Sequence, residues 1–122
     1  MVAGALIWWP LATAGAASLT TEIDGVRVEV GSVPEPPVRN HRATYTVRLI
    51  DRRGAPVTGA RVTLTGRMAD GMSVAAPLRP ADEPGIYRGD VLFTTEGRWD
   101  LTIRVVVGGG RFEVSLSEAV SR

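Results

Sequence analysis

The chain has no cysteine and no lysine, and it has a single histidine, His41. Without cysteine there are no disulfides, no thiolate metal sites and no cysteine nucleophile, and nothing follows about the redox compartment. All fourteen basic side chains are therefore arginine, which we read as a compositional bias of the genome. One histidine leaves few ways to build a Ser-His-Asp or Cys-His arrangement. Charge of either sign is not in excess: the formal net charge of +1 argues against a dedicated nucleic-acid binder, which carries a large basic surplus. The one Gly-rich stretch, Gly108-Gly-Gly110, sits between two strand patterns and has no helix after it, so it is no phosphate loop. The carboxylates fall at turns and at outward strand positions, with no apolar enclosure that would move one toward acid–base duty. The sequence thus points away from an enzyme.

What is present is the composition of a globular domain. At 122 residues, with 44% hydrophobic and 22% charged side chains, there is room for one ordered domain and a short extra segment. That segment is residues 1–18. No charged side chain occurs from Val2 to Thr21, and the run holds Leu6, Ile7, Trp8, Trp9 and Leu11 before a Gly/Ala-rich tail. Small residues at Ala14, Ala16 or Ala17 suit a signal peptidase. Trp8 and Trp9 equally suit the interface end of a membrane anchor, although the strongly apolar part is shorter than the roughly 20 residues a spanning helix needs. A cleaved signal and an anchor both stand as readings and place the body, residues 19–122, outside the cytoplasm; the third reading is a cytoplasmic domain with an amphipathic or disordered tail.

The body alternates with period two, the mark of strands half buried against a core. Val26, Val28 and Val30 give a first strand, ended by the Pro34-Glu-Pro-Pro37 cluster. Tyr45, Val47 and Leu49 share a face of the next, and Val62 and Leu64 a face of its neighbour. Gly54, Pro56 and Gly59 force the chain to turn between those two. Tyr87, Gly89, Val91 and Phe93, then Trp99, Leu101, Ile103 and Val105, then Phe112, Val114 and Leu116 complete six clear strands. A weaker seventh lies near Val74, inside the stretch from Gly66 to Pro84, where Met68, Gly71, Met72, Pro77 and Pro80 break the period. We read that stretch as the longest irregular loop and the place where binding would sit. The expectation is an all-β, immunoglobulin-like antiparallel sandwich of about seven strands.

With the Gly54-Ala-Pro-Val-Thr-Gly-Ala60 turn, the Met68-x-x-x-Met72 loop, Pro84-Gly85-Ile-Tyr87 and Gly97-Arg-Trp99 in this order, the body resembles the YtkA-like domain of the FixH family over about residues 25–116. The resemblance implies an exported or single-span protein with a periplasmic or extracellular β-sandwich. Some members of that family are linked to copper handling and to assembly of haem–copper oxidases. It also leads one to expect a further Met just before the Gly-x-Trp turn, where this chain has Thr95.

Met68 and Met72 are the candidate metal ligands, since thioether sulfur is soft and suits Cu(I). The competing reading is that they plug the open end of the sandwich. His41, flanked by Asn40 and Arg42, is expected on the surface of a strand-entry loop, and Trp99 inside, as a core anchor. Arg48, Arg52, Arg53, Arg61 and Arg67 either form a basic patch for a membrane surface or acidic partner, or make up a solvated face. The function expected is an exported, non-enzymatic accessory module acting through copper(I) or by docking to a membrane complex. The alternative is a metal-free interaction module engaging a protein partner.

Overall fold

A computed structural model describes residues 19–122; residues 1–18, with the expected signal or anchor segment, lie outside the described residues. Eight strands follow one another: β1 (Leu19–Ile23), β2 (Val26–Val33), β3 (Arg42–Ile50), β4 (Arg61–Arg67), β5 (Ser73–Pro80), β6 (Ile86–Leu92), β7 (Gly97–Val107) and β8 (Gly110–Val120). Among the described residues there is no helix. All neighbouring strands pair antiparallel, in the order β1-β2-β3-β6-β5-β4-β7-β8.

That continuous ladder folds on itself at β5. Ser73 to Leu78 pair with β4, whereas only Arg79 and Pro80 pair with β6. One strand thus passes from one half of the sandwich to the other, which answers why a segment with two prolines is a strand at all. Pro77 cannot donate to a ladder, but along its stretch β5 has only β4 to serve. The opposite side of the sandwich is not laddered. There β1 and β8 are the two edges, and a short parallel bridge between Val38 and Ser121 is what joins the halves.

The two halves press their inward files together. Val28, Val30, Tyr45, Val47, Leu49, Tyr87, Val91 and Phe93 come from one, and Val62, Leu64, Leu78, Trp99, Leu101, Ile103, Val105 and Val114 from the other, all buried. Each large side chain removed from water in this way contributes about 1.5–3 kcal/mol, which lets the domain stand without crosslinks. Tyr87 adds a polar tie: its hydroxyl donates to the Val57 carbonyl at 2.8 Å and accepts from the Ala60 amide at 3.1 Å, pinning the β3–β4 connection.

Two expectations are corrected here. The stretch from Gly66 to Pro84 is not a long loop but the end of β4, a tight turn, β5 and a second short turn. And there is an eighth strand, β1, ahead of the first one expected. Its hairpin with β2 turns on Asp24 and Gly25, both with positive φ (53° and 83°), the pairing that a two-residue turn between twisted strands requires.

Gly89 shows how closely β5 crosses β6. A Cβ there would lie 2.5 Å from the Pro77 carbonyl oxygen and 2.7 Å from a Leu78 methyl. Because the first of these atoms is backbone, Gly89→Ala must displace the crossing strand. We expect a loss of about 2–3 kcal/mol in urea denaturation; an unchanged midpoint would mean that β5 gives way freely.

Candidate functional site

Following the ladders places one set of segments at one end of the sandwich. There β2 ends and β3 begins, β4 turns into β5, β6 leads into β7, β1 starts and β8 finishes. The β3–β4 connection, the β5–β6 turn and the Gly108-Gly109 turn lie at the other end.

The β4–β5 turn at the first end carries both methionines. It is closed by the Met68 amide donating to the Met72 carbonyl (2.8 Å) and the Gly71 amide to the Met68 carbonyl (3.0 Å). The Asp70 carboxylate accepts from the Met72 amide at 3.0 Å. Within this one turn the two side chains have different environments. Met68 is half buried, packed on the core, with its methyl group against Gly97. Met72 is 40% exposed, and its Sδ accepts a hydrogen bond from the Thr95 hydroxyl at 3.4 Å. Thr95 is itself held in place, because the Trp99 indole N–H donates to its carbonyl at 2.9 Å. Trp99 is fully buried as expected, its ring 5.2 Å from that of Phe93, which meets Tyr45 edge-on at 6.4 Å. An aromatic floor therefore supports the segment against which Met72 rests.

His41 occupies the same end in the β2–β3 connection. It is exposed, and its Nδ1 lies 3.0 Å from the Arg39 carbonyl in its own loop. Glu96 bridges Arg39 (3.7 Å) and Arg122 (3.6 Å) there, solvent-exposed pairs that contribute little to stability. Of the arginines named as a candidate patch, Arg67 stands apart from Arg61 and Arg52. Arg61 and Arg67 cap opposite ends of β4, and Arg52 lies over Gly25 beyond the far end of β3. As a donor set the methionine turn suits Cu(I) in part. Two thioethers, Met68 and Met72, are soft ligands of the right kind, and the neighbour in third place is a hydroxyl, a harder donor.

A second feature was not foreseen. Glu118 is buried, 5% exposed, in the inward file of β8 with Val114 and Val120. It faces Tyr45 and Ser32, paired neighbours on β3 and β2 that also point inward. This corrects the expectation that no carboxylate has an apolar enclosure. Burial, and then the nearby charge of Glu35, push the Glu118 carboxyl up to about 7, while Tyr45 pulls it back. Burial and the Glu118 charge likewise push the Tyr45 hydroxyl up. The signal was in the alternation: carried two steps past Leu116 to Val120, it turns Glu118 inward.

Comparisons with known proteins agree on the fold. The YtkA-like family matches residues 20–104. A DUF4426 family protein from Pseudomonas aeruginosa PAO1 superposes with a TM-score of 0.69 at 15% identity, over 85% of this chain and 94% of that one. The Lin-41 filamin domain superposes with a TM-score of 0.58 at 20% identity, over 78% of this chain and 92% of that one. No curated protein matches.

Proposed function

Since the chain belongs to the YtkA-like family, we propose that it is a non-enzymatic, exported accessory domain that handles copper(I) at the β4–β5 turn in the service of a membrane complex. The observation that carries this reading is the placement of Met72. Its sulfur is exposed and backed by a segment fixed to the aromatic floor, on the same turn as Met68. The turn also lies at the end of the sandwich where β1 starts. Met68 and Met72 would hold the ion as thioether donors, and a soft, weakly bound ion near the surface is what a carrier gives up easily.

The test is Cu(I) competition against a chromogenic chelator, under reducing conditions, on the full chain and two variants. In Met68→Leu/Met72→Leu the bulk remains and the sulfur is gone, so stoichiometric binding should disappear. In Thr95→Met a third thioether is set beside Met72, and affinity should rise about tenfold or more. Equal competition by all three proteins, or none by any, would overturn the copper reading. The metal-free alternative, docking of a protein partner, is favoured in that event by the two edge strands, β1 and β8, whose outer sides have no ladder partner among the described residues.

A further inference from the structure

On the unladdered side of the sandwich, between β1–β2 and β8, a cleft of about 320 Å³ opens to the surface. Its apolar wall is Leu19, Val30 and Leu116, and its floor is Ser32, Tyr45 and Glu118. Two floor atoms sealed from solvent, the Tyr45 hydroxyl and Glu118 Oε1, lie beside each other, and neither makes a well-formed hydrogen bond or meets a cation. Buried polar atoms nearly always have partners, and orphaning one costs the full desolvation of the group. A buried carboxyl that has only a poorly aligned hydroxyl beside it and no counter-charge marks a place where a further donor completes the bonding.

The chemistry of that partner follows from what the cleft offers. Glu118 Oε1 accepts, and the tyrosine hydroxyl accepts or donates. The charged and titratable groups facing the floor are Glu118 from β8, Tyr45 from β3 and Glu35 from the segment after β2, the last accepting a hydrogen bond from Ser32 at 3.0 Å. Among the described residues, no arginine or histidine lines the cleft. The field is negative, the missing element is a multiple N–H donor, and the approach is apolar.

We propose that this cleft is a binding site for a small primary amine, its ammonium group donating to Glu118 and Tyr45 and its hydrocarbon stem lying along Leu19, Val30 and Leu116. An inorganic cation suits the floor less well. Hard cations ask for six or more oxygen ligands, and among the described residues no group of three or more acidic or histidine side chains is placed to hold a metal. The elevated proton affinity of Glu118 agrees with a carboxyl that lacks its counter-charge, and an arriving ammonium would displace that proton.

The experiment is an amide-shift NMR titration of the full chain at pH 8 with n-butylammonium chloride. Tetramethylammonium, which has charge but no N–H, and 1-butanol, which has the stem but no charge, run beside it. Saturable shifts confined to Gly31, Ser32, Tyr45 and 115–118, with a Kd on the order of 1 mM, are expected for butylammonium alone. Glu118→Gln should weaken binding at least tenfold, and Tyr45→Phe less. Glu113→Gln, an exposed change on the outward face of the same strand, should leave it unchanged. The spectra report folding of each variant, and if Glu118→Gln fails to fold, Tyr45→Phe and the two control ligands decide. Non-saturating shifts, equal response to tetramethylammonium or butanol, or binding untouched by Tyr45→Phe and by a folded Glu118→Gln would overturn the proposal.

Discussion

Trp99→Ala is expected to cost about 4 kcal/mol of folding stability, the largest loss of any single truncation in this core. The indole is fully buried between the two halves of the sandwich, against Phe93, so its removal leaves a cavity that neighbours on two rigid sheets cannot fill. The change also acts at a distance. The indole N–H holds the Thr95 carbonyl, and Thr95 in turn contacts Met72. Loss of that bond should speed amide hydrogen exchange through residues 94–97 beyond what global destabilisation explains. Trp99→Phe retains part of the packing without the donor, and should show the local acceleration with a smaller fall in urea midpoint. Exchange at 94–97 that merely tracks global stability would mean that the floor does not position the segment.

The second large effect is a pH dependence centred on Glu118. Its carboxyl is raised from an ordinary value near 4.5 to about 7 in the folded chain. Between those values the folded state holds a proton that the unfolded state has released, so this group's contribution is fully present below about 4.5 and is lost as pH rises through about 7. Integrated across the window, the linkage amounts to roughly 3 kcal/mol. Glu118→Gln has no proton to lose. Relative to wild type it should be near neutral at pH 4 and stabilising by pH 8, with most of the difference developing between pH 5 and 7. Chemical denaturation of both proteins at matched pH measures this directly; a difference that stays constant with pH would place the Glu118 carboxyl at its ordinary value.

How far the sequence alone could lead is clearest in the residues where it succeeded and failed. The files Tyr45-Val47-Leu49 and Trp99-Leu101-Ile103-Val105 are buried as read, because alternation is enforced wherever one strand face is removed from water. β5 was blurred by Pro77 and Pro80, whose tolerance depends on which neighbour each side of the strand must serve, a tertiary fact. β1 is legible in the sequence, since Asp24-Gly25 between two alternating runs is a strong hairpin signal. The methionines were found as a pair, yet spacing could not reveal that one packs on the core and the other meets Thr95. That division follows from the turn's hydrogen bonds and from Gly97 lying beneath Met68. Glu118 was missed because its identity suggested the outside while its register placed it inside, and register won.

The arrangement of the two edge strands has a mechanical consequence. Leu19 opens β1 and Arg122 follows β8 at the same end of the sandwich, and the segment carrying Ser121 is held there by the Pro37 carbonyl and the Arg39 amide, each at 2.8 Å. A force drawing these two points apart would load those two bonds first. It would then strip β1 from β2 one rung at a time, as a zipper opens, instead of shearing a whole ladder at once. A tether joined at Leu19 and a load joined at Arg122 would therefore meet rungs that fail one by one, and the domain would yield at a lower force than under a pull that shears a whole ladder.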